Sequence, residues 1–234
     1  MVLVVPAVLP SSREDLDEKL ALFAKIPSVS RIQIDVVDGL FATPASWPYS
    51  IVGEPGIKSD LMPGKMLPRL ERIEYEMDLM CLDVERAAEA WLALGATRLT
   101  FHAESLTDLP RFLARARSQY GSLISFGLAL NIASDIAIIE HSLEGVDYVQ
   151  FMGIAKIGRQ GQPLDKGIFE RVRSFRSRHL KMPVQVDGGV SLESARRLVA
   201  LGASNLVVGS GLLRAGDPAA AFAAFEALRS PYGV

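Results

Sequence analysis

Two stretches of this 234-residue chain place reactive groups where they could act on a small anion. In Gln33-Ile34-Asp35-Val36-Val37-Asp38-Gly39, alternate residues of an extended strand point to opposite faces. Gln33 and Asp35 therefore share one face, and Ile34 and Val36 share the other. Two polar side chains on one face of a core strand call for a chemical reason. The second stretch runs from Val184 to Leu213 and reads as strand, turn, helix, strand and turn. Its first turn is Asp187-Gly188-Gly189, where adjacent glycines let backbone amides approach an anion that a Cβ would obstruct. The second turn, Gly209-Ser210-Gly211, precedes a short apolar segment that could present a helix N-terminus to the same anion. Asp187, at the end of its strand, would then lie beside a bound phosphate.

The elements that must position these groups follow a repeating pattern. Strands are predicted at Leu3–Leu9, Arg31–Val36, Ile73–Leu79, Arg98–His102, Leu123–Leu130, Tyr148–Met152, Val184–Val186 and Asn205–Val208. Helices are predicted near Glu14–Ile26, Val84–Leu94, Leu109–Tyr120, Asp135–His141, Lys166–Ser177, Leu192–Leu201 and Pro218–Leu228, with Ser11-Ser12, Asp83 and Ser191 as caps. Eight strands alternating with helices, at about 29 residues per unit, imply one parallel sheet closed into a single (β/α)8 TIM barrel domain over residues 1–234. The two glycine turns then follow strands seven and eight, where such barrels bind phosphate. A plain glycine-rich turn in another α/β fold is the alternative. Leu40–Leu67 breaks the pattern with Pro44, Pro48, Pro55 and Pro63 around Trp47 and Tyr49. This irregular rim insertion reads as a lid, a subunit contact or a tolerated insertion.

Bulk properties narrow the class. With 49% hydrophobic residues the chain can bury a large core, and no linker divides it. The net charge of −2 arises from interspersed charges, which argues against nucleic acid or an acidic membrane as partner and for a small metabolite. Cys81 is the single cysteine, so there is no intrachain disulfide framework, in keeping with a reducing cytoplasm. The apolar opening MVLVVPAVLP has no basic leader and reads as a first strand, and no run is long enough to span a membrane.

With the elements in order, the chain resembles the ribulose-phosphate 3-epimerase family. The matching pieces are PAVLP, IDVVDG, EMDLM, ALN, the Met152–Gln162 loop, VDGGV and VVGSGLL, in family order over nearly the whole chain. The resemblance implies an isomerase that epimerises a ketose phosphate through an enediolate. Asp35 and Asp187 would be the acid/base pair on opposite faces of the substrate. It implies phosphate contacts at Gly188, Gly189, Gly209 and Ser210, and less closely at Gly158 and Gly161. It also implies a divalent metal held by two histidines and the two aspartates. Here the sequence departs, with Gln33 and Asp78 standing where the histidines are expected. Three readings follow. Gln33, Asp35, Asp78 and Asp187 hold a hard ion, magnesium, manganese or calcium rather than zinc; or the metal is absent and only sugar-phosphate binding persists; or the scaffold runs another reaction. No organic cofactor is expected, and a cytoplasmic homo-oligomer is. Ala7 replaces a serine, Val37 replaces a methionine, and the loop after Met152 lacks the family's asparagine-proline start.

Other reactive residues have plainer readings. His102 closes strand four and reads as a structural rim histidine, with a site-facing role as the alternative, while His141 and His179 fall on helices or their ends. Cys81 reads as packing. Lys156 in the loop after strand six would permit Schiff-base aldol chemistry, and Arg159 and Arg214 are candidates to assist the phosphate.

Overall fold

The structure, a computed structural model, describes residues 2–49 and 66–228. Eight parallel strands close into a barrel in sequence order: β1 (Leu3–Val8), β2 (Arg31–Val37), β3 (Glu74–Met80), β4 (Arg98–His102), β5 (Ser125–Leu130), β6 (Tyr148–Met152), β7 (Val184–Asp187) and β8 (Asn205–Val208). The helices are α1 (Arg13–Ala24), α2 (Val84–Leu92), α3 (Leu109–Tyr120), α4 (Ala137–Glu140), α5 (Gly167–Arg178), α6 (Leu192–Ala200), α7 (Ser210–Leu213) and α8 (Pro218–Glu226). The fold is a (β/α)8 barrel.

Caps start the helices where the sequence places them. Ser12 accepts from the Asp15 amide, Asp83 from Arg86 and Asp108 from Arg111, while Ser191 and Ser194 cap each other reciprocally. Leu16, Leu20 and Phe23 recur along one face of α1 and are fully buried against the barrel wall. Each such side chain contributes roughly 1.5–3 kcal/mol by leaving water.

Some predicted boundaries shift. β5 starts at Ser125, because Gly121 ends α3 at a φ of 65° and Leu123 is left 88% exposed in the turn that follows. The helix expected over 135–141 is the single turn α4. Strict alternation with helices also fails, since the described residues between β2 and β3 hold neither helix nor strand and both α7 and α8 follow β8. Of the irregular insertion, residues 50–65 lie outside the described residues; Trp47 within the described part is buried edge-on against Trp91, 6.0 Å between centroids.

The two faces of the barrel wall differ in kind. Ile32, Ile34 and Val36 of β2 face outward into the main apolar cluster, whereas Gln33 and Asp35 face inward. Val5 and Ala7 of β1 and Val207 of β8 form a small apolar cluster apart from the main one. Inward residues of β3, β4, β6 and β7 instead follow β2, with Glu76, Asp78, Thr100, His102, Gln150, Gln185 and Asp187 polar and buried. These groups hydrogen-bond to one another. At the floor, Glu76 pairs with Arg98 at 3.1 Å, and the Arg98 guanidinium lies 4.5 Å from the Tyr148 ring centre. Gly127 leaves space for that ring, since a Cβ there would lie 2.2 Å from it.

Candidate active site

The strand register brings the carboxylates together at the C-terminal end of the barrel. Asp35 of β2 is paired in register with Asp78 of β3, and Asp187 ends β7 beside Val207 of β8. Carboxylate oxygens of Asp35, Asp78 and Asp187 all lie within 4.8 Å of one another. Gln33 binds two of them, its Nε2 donating to Asp35 Oδ1 at 2.9 Å and to Asp187 Oδ2 at 2.8 Å. Asp78 is held from the other side, by Gln150 Nε2 at 3.1 Å and by His102 Nε2 at 3.1 Å.

This crowding controls proton affinity. Burial, followed by the charge of Asp78, raises the Asp35 pKa from the usual carboxylate value to about 7. Burial and then the charges of Asp35 and Asp78 push Asp187 well above its ordinary value. Two carboxylates in such a setting cannot both ionise readily, so one group holds a proton while the other is available to take one.

Asp35 and Asp187 border a cavity whose rim contains every glycine turn singled out in the sequence. Gly158, Gly161, Gly188, Gly189, Gly209 and Ser210 line it together with Ala7, Met80 and Met152. Gly188 and Gly189 adopt φ of 101° and 69°, and a Cβ on Gly189 would meet the Leu164 backbone at 2.6 Å. Only glycine allows the chain to pass there. The loop between β6 and α5 closes over this cavity: Arg159 Nε donates to the Thr43 carbonyl at 2.9 Å, Gln160 Nε2 lies 3.4 Å from the Ala7 carbonyl, and Gly161 packs against the Arg214 guanidinium. The space left inside is about 40 Å³, room for a few waters.

Several residues that the sequence reading passed over belong to the site. Gln160 reaches in from the loop to the Ala7 carbonyl at 3.4 Å, and its side chain acts to lower the Asp35 pKa. Gln150 and Gln185 extend the network below, and their inward position on β6 and β7 was the only signal available. His102, read as structural, faces inward and binds Asp78, with its ring 5.4 Å from Phe41. Lys156 is exposed and absent from the cavity lining, which leaves the Schiff-base reading without support. Cys81 is fully buried, its thiol donating to the Val36 carbonyl at 3.4 Å, and burial pushes its pKa up, so it packs and does not attack. His141 is exposed and His179 sits against Glu140 at 2.9 Å, both away from the site.

The three carboxylates are close enough to offer oxygens to one hard cation, but the groups around them are arranged otherwise. The Gln33 amide presents N–H to the Asp35 and Asp187 oxygens that such an ion would share, and its own Oε1 faces Gln185 at 3.3 Å. Gln33 is thus a donor here and not the oxygen ligand the sequence reading made it. In this arrangement the residues do not fit a metal centre.

Comparison with known proteins agrees with the geometry. Relatives include the ribulose-phosphate 3-epimerase of Mycobacterium leprae, 28% identical over 96% of this chain and 93% of that protein, and that of Bacillus subtilis, 27% identical over 93% and 94%. The chloroplastic ribulose-5-phosphate-3-epimerase of Arabidopsis thaliana is 26% identical across the whole chain and 79% of its own length. Among solved structures, KGPDC from Streptococcus mutans superposes with a TM-score of 0.67 at 13% identity, covering 97% of this chain and 96% of that one, and shares the fold. The model of the Ribulose-phosphate 3 epimerase family matches residues 3–213, from the first strand through the turn after the eighth. A barrel with an acidic pair and a glycine-lined cavity at its C-terminal mouth, matched along that whole span, belongs to the ribulose-phosphate 3 epimerase family.

Proposed function

We propose that this protein epimerises a ketose phosphate at the carbon beside the carbonyl, with Asp35 and Asp187 as the base and acid. The observation that carries the reading is their joint position on one cavity with the glycine turns after β6, β7 and β8. The turns would bind the phosphate through backbone amides and so fix the sugar between the carboxylates. Asp35, its pKa raised to about 7, takes the proton from the substrate carbon. Asp187, which burial and neighbouring charge keep protonated, returns one to the opposite face of the planar enediolate. Inversion requires the two groups to act from opposite faces of the enediolate. The names of the relatives support a ribulose phosphate as substrate.

The closeness of Asp35, Asp78 and Asp187 favours a second reading in which magnesium, manganese or calcium joins the site; it would require Gln33 to turn its amide over. The hydrogen bonds that already occupy Asp35, Asp78 and Asp187 favour a third, a barrel that binds a sugar phosphate without turning it over. We place the protein in the cytoplasm as a homo-oligomer. Its one buried cysteine supports the first, and the exposed Leu40 and Leu82, both tied through their amides to the Asp38 carboxylate at 2.8 Å, supply apolar surface for the second.

Incubating the protein with D-ribulose 5-phosphate in D₂O tests the reading. Deuterium entering beside the carbonyl with formation of the epimer is expected. Tight binding of the sugar phosphate with no exchange would replace the epimerase by the binding protein.

A further inference from the structure

The arrangement of amides around the carboxylates can be traced to a single anchor at the barrel floor. Glu76 accepts from Arg98 at 3.1 Å and from Thr100 at 3.1 Å. Gln185 must therefore turn its Nε2 toward Glu76, with which it makes a short contact. Asn205 Nδ2 donates to Gln185 Oε1 at 3.0 Å, which fixes the same orientation from the other end. The two hydrogens of Gln185 Nε2 serve Glu76 and Gln150 Oε1, the latter at 2.8 Å, and Gln33 Oε1 lies 3.3 Å from the same nitrogen. Turning either glutamine over would set N–H against N–H in a buried site, at the cost of an unpaired polar group. Both are consequently committed to pointing N–H upward, Gln33 to Asp35 and Asp187, and Gln150 to Asp78.

We infer that Gln33, oriented by the Arg98–Glu76–Gln185 chain, is a positioning residue that links Asp35 to Asp187 in place of a cation, so that proton transfer in this protein requires no divalent metal ion. The two hydrogens of its Nε2 lie along the lone pairs that a bridging ion would use, at 2.9 and 2.8 Å. With Gln150 and His102 on Asp78, the carboxylates are met by hydrogen bonds fixed at folding. The inference deepens the proposed function and rests on it for the word transfer, while its statement about metal stands apart from activity.

The test uses the full chain, treated with a chelator and dialysed, then titrated with manganese alone by calorimetry, beside deuterium exchange on D-ribulose 5-phosphate. The wild type is expected to take up no manganese at micromolar concentration and to exchange at the same rate before and after chelation. Gln33→Met keeps the volume and removes the donor, and is expected to lower kcat about tenfold or more at unchanged KM. Gln33→Glu, which places a fourth carboxylate where the amide was, is expected to bind one manganese per chain. One manganese per wild-type chain, exchange that disappears on chelation and returns with metal, or full exchange in Gln33→Met would overturn the inference. A wild type that neither exchanges nor binds manganese, with binding gained in Gln33→Glu, would refute the epimerase reading and leave the amide assignment standing.

Discussion

Replacing Asp78 by asparagine gives the most direct check on how this site sets its proton affinities. After burial, the charge of Asp78 is the largest influence raising the Asp35 pKa to about 7. The oxygens involved lie within 4.8 Å of one another. At an effective dielectric constant of about 20, two unit charges at that distance interact by about 3.5 kcal/mol, or about 2.5 pH units. His102 and Gln150, both bound to Asp78, offset part of that field, so a shift of about 1–2 pH units is expected. The sign follows from the role. A base must be ionised to act, so the wild-type kcat/KM rises with pH through about 7. Removing the neighbouring charge lowers the Asp35 pKa, and the acid limb of Asp78→Asn should move toward lower pH. The assay is solvent-deuterium exchange on D-ribulose 5-phosphate between pH 4.5 and 9. An acid limb that stays in place, or moves upward, would refute the reasoning.

Two further outcomes follow. Asp187→Asn should abolish exchange while raising thermal stability at neutral pH: a carboxyl whose folded pKa lies above its unfolded value stabilises the fold only while protonated, and that contribution is lost as pH rises from about 4 upward. The gain in Tm, followed by circular dichroism, should be larger at pH 8 than at pH 5; an equal or lower Tm at pH 8 would count against the raised pKa. Gly127→Ala would drive a Cβ to 2.2 Å from the Tyr148 ring, beside the Arg98 anchor. Overpacking of this kind should destabilise by about 1–3 kcal/mol or more, a Tm fall of roughly 2–12 °C; an unchanged Tm would show that the floor can yield.

The barrel was legible because its signals are local. Caps at Ser12, Asp83 and Ser191 and apolar strands between them report the alternation directly, and the glycines at 188 and 189 mark a turn whose φ and close contacts exclude other residues. Asp187 stood out by ending its strand beside a turn, and Asp35 by sharing a strand face with Gln33. What a single sequence withholds is register. The family resemblance groups Asp78 with Asp35, but that Gln150 and Gln185 from β6 and β7 converge beneath them depends on the stagger with which eight strands close. His102 looked like a rim residue because its chemistry depends on Asp78, a residue 24 positions away. Gln160 lay in a loop without periodicity, and its reach into the site depends on how that loop folds across the mouth.

That loop also has a kinetic meaning. Arg159 on Thr43, Gln160 on Ala7 and Gly161 on Arg214 tie it to three separate parts of the mouth, and about 40 Å³ remains beneath it. A ligand much larger than a few waters would shift this loop on entering and again on leaving. Loop movement is then a step in ligand exchange separate from the chemistry beneath it, and it is set by contacts that lie outside the carboxylate network.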